Sequence, residues 1–532
     1  MKSDQSQPPG RAFENSARRE EPKIIPGLGV DVPELRQARA LWRSNRFDEA
    51  LQLFEAAVKK YPQNLVALVD GSRALGARFE IKRAEAMLHR LRKLAGQRPD
   101  ILHLVGQSYR MIFRPNEAIE CFEKVVALTK DIPDAYLELA VLYERRHKLD
   151  EALALIDNCL RAAPDYLEAE LFKARLLRRQ GLGAESEELF RRLSENEKAE
   201  PQLRAQAFAE IAQLLDQRED YRGAMAAMLS CKELVRPREG PILHEAEAVM
   251  EELRNLSDGL TASHFQRWAA AAKELPPVKA AALTSFPRSG TTLLEQVLDS
   301  HSGLVSSDER QAFARDIFPS MWLGPTSPAP TAAALDAISL ERVRQLRQRY
   351  FDYMAAALNE PIGERMHLDK NPPLTLVLPG FLRLLPEAKL LIALRDPRDV
   401  VISCFMQYLP LNPNSVCFLT LERTAKRYEN DMETWRRLRE MIASPWLEIR
   451  YEDVVRDLPG QARHTIDFLG LPWEDQVLSY RERLKTKAVG SPTYEAVKQP
   501  LYTKAIGRWK HYEEFLAPCM PILEPSIRAF GY

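Results

Sequence analysis

Residues 281–301 read AALTSFPRSGTTLLEQVLDSH. The apolar run at the start predicts a strand, Pro287 and Gly290 break it, and Leu293, Leu294, Val297 and Leu298 then share one face of a helix. A loop between a strand and a helix start aims successive backbone N–H groups, and the positive end of the helix dipole, at one point. Ser289, Thr291 and Thr292 add hydroxyl donors and Arg288 adds charge, so Arg288, Ser289, Gly290, Thr291 and Thr292 are expected to hold a phosphate. A triphosphatase loop, GxxxxGK[ST], carries Lys directly after its second Gly. Here Thr291 follows Gly290, and that Lys is absent.

Four later stretches have the same strand-then-polar form. Leu304-Val305-Ser306 leads into Ser307-Asp308-Glu309-Arg310, which suits a short strand ending beside the phosphate loop, because ligands of open α/β sheets gather at strand carboxyl ends. Met366-His367-Leu368 leads into Asp369-Lys370-Asn371-Pro372. After Lys389, Leu390 to Leu394 is a continuous apolar run, as in a parallel-sheet strand buried on both faces, and it ends in Arg395-Asp396-Pro397-Arg398 with Pro397 at a helix start and Ser403 further on. Trp446 to Arg450 runs into Tyr451-Glu452-Asp453.

The loop and the Arg395 to Ser403 segment resemble the 5′-phosphosulfate and 3′-phosphate motifs of the sulfotransferases. The Pro-Arg form of the loop is most like the protein-tyrosine sulfotransferases and their bacterial relatives, and the resemblance spans about Pro277 to Tyr532. It implies transfer of a sulfuryl group from 3′-phosphoadenosine 5′-phosphosulfate to an acceptor hydroxyl by in-line attack, with no metal. Under it Arg288 to Thr292 hold the 5′-phosphate, and Glu309 is the general base, which must come within hydrogen-bond reach of the acceptor hydroxyl. Lys370 contacts the bridging oxygen, where a loose transition state builds negative charge. Arg395 and Ser403 hold the 3′-phosphate, the Arg with a planar fork that Lys does not duplicate. Tyr451 contacts the nucleotide, Thr493 lies near a Ser that orients the sulfuryl group, and Arg508 takes the place of a Lys reaching the nucleotide phosphate. Arg288 and Thr493 thereby join Glu309 and Lys370 as catalytic candidates. One position departs: Gln407 stands where the tyrosine enzymes carry a further Arg. The resemblance implies tyrosine in a protein or peptide as acceptor, and a phenol, with a pKa of about 10, suits a carboxylate base better than an alkyl alcohol.

The first half of the chain is helical in pattern and repeats itself. Ala50, Ala84, Ala118, Ala152 and Ser186 fall 34 apart, as do Phe54, Leu88, Phe122, Ile156 and Phe190. Leu41, Leu75, Tyr109, Tyr143 and Leu177 keep the same period, and so do Ala38, Ser72, Gly106, Ala140 and Ala174. A small residue followed four later by a large apolar one lets helices approach and fills the gap between pairs, which is the tetratricopeptide pattern. Five repeats are expected, then a looser sixth pair over about Pro201 to Leu234 in which Ala224 comes four residues late. Such arrays present a concave surface that grips a peptide or a protein. Pro237, Gly240, Pro241, Pro276 and Pro277 punctuate a helical connector with stretches near His244 to Leu256 and Leu260 to Leu275.

The expected organisation is a disordered tail over 1–31, a tetratricopeptide solenoid over 32–235, a connector over 236–278 and a P-loop-like α/β sulfotransferase domain with a parallel sheet over 279–532. The 75 basic and 75 acidic residues cancel, which argues against general nucleic-acid or membrane-surface binding. The first two dozen residues lack the apolar core of a signal peptide, and no segment has the apolar length of a membrane helix, so a soluble, cytoplasmic protein is expected. The six cysteines show no metal-ligand spacing and are expected as reduced, mostly buried thiols. The expected partner is a protein or peptide acceptor, with a homodimer left open. Two rival readings remain. A nucleotide-dependent phosphotransferase is opposed by the missing loop Lys and the Arg395 to Ser403 pattern, and a non-catalytic repeat adaptor by the presence of Glu309 and Lys370.

Overall fold

The computed structural model describes residues 31–322, 329–484 and 505–532. The chain divides into two compact units, one formed by residues 31–193 with Asp352–Pro361, the other by Ser194–Phe351 with Ile362–Tyr532.

The repeat unit is five helix pairs: Pro33–Arg43 with Phe47–Lys60, Leu65–Ala77 with Ile81–Ala95, Pro99–Met111 with Pro115–Leu128, Pro133–Arg145 with Leu149–Ala162, and Leu167–Arg179 with Gly183–Glu195. The two columns starting at Ala50 and Phe54 are 0% exposed at every one of their positions. The small-residue column works by contact distance, since a Cβ on Gly106 would lie 2.7 Å from the Phe122 ring. The column from Leu41 to Leu177 proves to have a second role. One helix turn after each member, Asn45, Phe79, Phe113, His147 and Gly181 take left-handed φ of 60°, 60°, 61°, 61° and 85°. The next backbone N–H then returns to the carbonyls of Leu41, Leu75, Tyr109, Tyr143 and Leu177 at 2.9–3.0 Å. Each first helix is thus closed by the same C-terminal motif, and only the fifth uses the glycine that this geometry favours.

The sixth helix pair, Pro201–Gln217 and Tyr221–Val235, belongs to the sheet unit. Its first helix has 17 residues against 13 in Leu167–Arg179, one extra turn, which accounts for the late but fully buried Ala224. The connector departs from expectation at its start. Gly240 and Pro241 do not interrupt it but lie in the first turn of the helix Glu239–Asp258, where a proline costs no intrahelical hydrogen bond.

Among the described residues the sheet has five strands, β1 (Ala280–Thr284), β2 (Leu304–Ser306), β3 (Met366–Lys370), β4 (Lys389–Leu394) and β5 (Trp446–Arg450), all parallel and ordered β2-β3-β1-β4-β5. Register places Leu283 of β1 between Lys370 of β3 and Leu391 of β4. One face packs Leu293, Val297 and Leu298 of the helix Thr291–Leu298 on Leu368, Leu391 and Ile449, and strand alternation turns His367 and Asp369 to the other face, against Tyr350. Chain order reverses about β1, so the crevice at its carboxyl end is where such sheets take ligands. Among the described residues no helix is long and apolar enough to cross a membrane. All six cysteines are buried and unpaired.

Candidate functional site

The phosphate loop is gripped from both sides. The Thr284 hydroxyl donates to the Pro372 carbonyl at 3.0 Å after β3, and the Ser285 hydroxyl donates to the Ala393 carbonyl of β4. Gly290 has φ 94°, and a Cβ there would lie 2.6 Å from the Tyr451 ring, so both the backbone and the space demand glycine. Arg288 also takes a left-handed φ, 72°, a conformation that a side chain disfavours and that strained loops hold where they do work. The helix Thr291–Leu298 begins at once, and its first-turn N–H groups have no intrahelical acceptors. Ser289, Thr291 and Thr292 are buried in this turn.

On the β4 side, Arg288 Nε donates to Ser403 Oγ at 3.0 Å, and Arg395 Nη1 donates to the Arg288 carbonyl at 3.1 Å. Arg395 Nη2 donates to the Ala505 carbonyl at 2.6 Å, and its guanidinium lies 4.9 Å from the centre of the Tyr451 ring. Arg395 Nε is buried with no hydrogen-bond partner among the described residues. An orphaned guanidinium donor beside a phosphate-shaped loop is what an anionic ligand would satisfy. Tyr451 opens a helix whose next residue, Glu452, accepts from the Asp396 N–H at 3.0 Å and from the Tyr532 hydroxyl at 2.9 Å, so Tyr532 braces this side.

On the β3 side, the fully buried Lys370 Nζ lies 2.8 Å from Glu309 Oε1, 3.0 Å from Asp308 Oδ1 and 3.1 Å from Glu295 Oε2. Burial works to lower the Lys370 pKa, but the carboxylates of Glu295, Asp308 and Glu309 outweigh it and hold it above the ordinary value. Glu295 is itself 0% exposed and accepts from Ser306 Oγ. Glu309 sits at the rim, its side chain 35% exposed. Asp308 reaches the same lysine because its φ of 52° bends the chain directly after β2. Behind Lys370, on the other face of β3, Asp369 accepts from the Tyr350 hydroxyl at 2.6 Å, and burial pushes its carboxyl up to about 7.

The structure therefore brings Arg288, Gly290, Arg395, Ser403 and Tyr451 together on one side of the loop and Lys370 with Glu309 on the other. Arg508 goes elsewhere: its Nη2 lies 2.8 Å from Asp216 Oδ1 of the helix Pro201–Gln217. The stretch around it is pinned by Asp399, which accepts from the Gly507 and Trp509 N–H groups at 2.7 and 2.8 Å. Thr493 lies outside the described residues. Sequence reasoning missed Glu295, Asp399 and Asp216. Glu295 left one signal, a charge set inside the apolar run Leu293-Leu294-Glu295-Gln296-Val297-Leu298. Among the described residues no group of three His, Cys, Asp or Glu side chains is placed to hold a metal ion. Chemically, the arrangement offers two guanidinium groups and a helix start for anions, with a cation and a rim carboxylate side by side.

A family model described as the sulfotransferase family matches residues 281–475, and tetratricopeptide-repeat models match residues 41–107, 114–166 and 137–201. An uncharacterized protein of Aquifex aeolicus (strain VF5) is 25% identical over 336 residues, 62% of this chain and 42% of that protein, so the chain spans less than half that relative's length. Protein-tyrosine sulfotransferase 1 of Danio rerio is 23% identical over 324 residues, 57% of this chain and 83% of that protein. Among solved structures, the sulfotransferase domain of the Synechococcus PCC 7002 olefin synthase is 22% identical, with a TM-score of 0.32 over 44% of this chain and 88% of its own. The chain joins tetratricopeptide repeats in its first half to a domain of the sulfotransferase family in its second.

Proposed function

We propose that this protein transfers a sulfuryl group from 3′-phosphoadenosine 5′-phosphosulfate to the hydroxyl of a tyrosine in a protein or peptide. The observation that carries the reading is the pairing of Lys370 with Glu309, 2.8 Å apart, at the end of a strand adjacent to the phosphate loop. A base and a cation set side by side are what in-line transfer needs at its two reacting oxygens. Glu309 takes the proton from the acceptor hydroxyl as that oxygen bonds to sulfur. The bond from sulfur to the bridging phosphate oxygen breaks, and its electron pair stays on the oxygen, which Lys370 stabilises. The products are a sulfate ester and 3′-phosphoadenosine 5′-phosphate. No charge on the transferred group requires a metal in this scheme.

Arg288 and the loop through Thr292 are assigned to the 5′-phosphate, Arg395 and Ser403 to the 3′-phosphate, and Tyr451 to the nucleoside. Arg508 joins them only by exchanging Asp216 for the nucleotide, and Thr493 is assigned to the sulfuryl oxygens. The array over 32–235 is assigned to gripping the acceptor protein, with residues 236–278 as connector and 279–532 as the transferase domain.

Calorimetry with 3′-phosphoadenosine 5′-phosphate, beside ATP with Mg²⁺, tests the donor assignment. Metal-independent binding of the bisphosphate, weakened at least tenfold in Arg395→Ala, is expected; a preference for ATP would overturn the class of reaction. Transfer of labelled sulfate from the donor to tyrosine-containing peptides, absent with the matching phenylalanine peptides, then tests the acceptor.

A further inference from the structure

Lys232, in the last turn of the helix Tyr221–Val235, is 3% exposed. Its ammonium donates to the Gln407 carbonyl at 2.7 Å and lies 5.2 Å from the centre of the Phe405 ring. Among the described residues no carboxylate pairs with it. A group with three N–H donors and a full charge is thus buried against one carbonyl and one ring. Burial pushes it down to about 8. An ammonium so placed is unfavourable unless an anion joins it.

The stretch that holds this ammonium also holds the anion machinery. Ser403, Cys404 and Phe405 end the helix Pro397–Phe405, and Gln407 lies two residues on. Ser403 accepts from Arg288, and Cys404 Sγ lies 3.4 Å from the carbonyl of Pro287, the residue before it. Ser403 and Gln407 stand four residues, about one helical turn, apart, so the carbonyl that takes the Lys232 ammonium lies at the same helix end as the hydroxyl that takes Arg288. Arg288 and Arg395 already bond protein groups there, and Arg395 still has an unused donor.

We propose that Lys232, supplied by the sixth helix pair, is a third cationic ligand of the phosphate assigned to Arg395 and Ser403. The inference rests on the donor assignment above and adds to it that a helix of the repeat pattern completes the nucleotide site. The bland alternative is that Lys232 only caps the Gln407 carbonyl near a helix end.

The test compares the wild type with Lys232→Met, titrating each by calorimetry with 3′-phosphoadenosine 5′-phosphate and with adenosine 5′-monophosphate, which lacks the 3′-phosphate. A charged hydrogen bond contributes about 1.5–3 kcal/mol, so the variant should bind the bisphosphate about 10- to 100-fold more weakly and the monophosphate as the wild type does. Its thermal unfolding without nucleotide should be unchanged or higher, since a buried charge has gone. Equal weakening for both nucleotides, or an unchanged preference for the bisphosphate, would overturn the proposal. A wild type that does not prefer the bisphosphate to the monophosphate overturns the donor assignment itself, a failure distinguishable because it appears before any substitution is made.

Discussion

Replacing Lys370 with Met removes the cation from a nest of three carboxylates, Glu295, Asp308 and Glu309, all within 3.1 Å of its Nζ. At an effective dielectric constant of about 20, a unit pair about 3 Å apart attracts by roughly 5 kcal/mol before desolvation is counted. The measured cost of deleting one partner of a buried pair is about 3–5 kcal/mol, which is a large share of the stability of an ordinary domain. Glu295, 0% exposed, is the carboxylate that the loss strands most completely. Glu295→Gln should therefore cost less alone, about 1–3 kcal/mol, because Lys370 keeps Asp308 and Glu309. In the double variant no fully buried charge is left opposite a missing partner, so its cost should fall short of the sum of the singles by about 2 kcal/mol. Six of the seven tryptophans, all but Trp42, lie in the sheet unit, so urea unfolding followed by tryptophan fluorescence reads mainly the unit concerned. A Lys370→Met midpoint equal to that of the wild type, or strict additivity in the double variant, would refute the claim that the nest is held by its cation.

Gly290→Ala places a Cβ 2.6 Å from the Tyr451 ring at a φ of 94°, a strain of about 1–3 kcal/mol, and should weaken nucleotide binding more than tenfold by calorimetry; unchanged affinity would mean the loop is not the phosphate site. Glu309→Gln should lower turnover by about 10²–10⁴ while nucleotide affinity stays within a few-fold, and a variant with wild-type turnover would remove Glu309 as the base. Asp369 has a folded pKa pushed up to about 7 by burial, against about 3.9 unfolded, so the folded state binds the extra proton. The stability this contributes is fully present below about pH 4 and is lost as pH rises to about 7, by about 4 kcal/mol at most; Asp369→Asn should flatten that slope in urea titrations, and an unaltered slope would show that the proton is bound elsewhere.

The helical half was legible because its constraint is periodic. A buried small residue followed by a buried large one must recur wherever identical helix pairs stack, and the columns from Ala50 and Phe54 do so without exception. The turn column was not legible, for the opposite reason. Asn45, Phe79, Phe113, His147 and Gly181 share a left-handed backbone but no side-chain chemistry. The hydrogen bond that closes each helix goes with that conformation, and Phe79 and Phe113, unlike Gly181, Asn45 and His147, are not residue types enriched in it. The sixth pair showed in sequence only as a displaced alanine, and one extra helical turn in Pro201–Gln217 explains the displacement.

The site divides in the same way. The meeting of Arg288, Lys370 and Arg395 was legible because Lys370 ends its strand, Arg395 follows its strand at once and Arg288 lies four residues past its own, and parallel strands deliver their carboxyl ends to a common edge. Local order along the chain is then enough to predict who meets whom. Glu295, Asp216 and Lys232 carry no such signal, since each lies within a helix and acquires its role from a partner far along the chain: Glu295 from Lys370, Asp216 from Arg508 at a separation of 292 residues, and Lys232 from Gln407 at 175. Arg508 shows the same dependence on a distant partner. Its position beside Gly507 and Trp509 matched a nucleotide-contacting segment, yet Asp399 fixes that backbone through two N–H groups and leaves the side chain to Asp216. If Arg508 serves the nucleotide, the helix Pro201–Gln217 must give it up, and the pair Asp216 and Lys232 then makes the sixth helix pair a structural part of the donor site. A helix pair that looks in sequence like a frayed further repeat is, in that reading, kept irregular because it belongs to the sheet unit and serves its site.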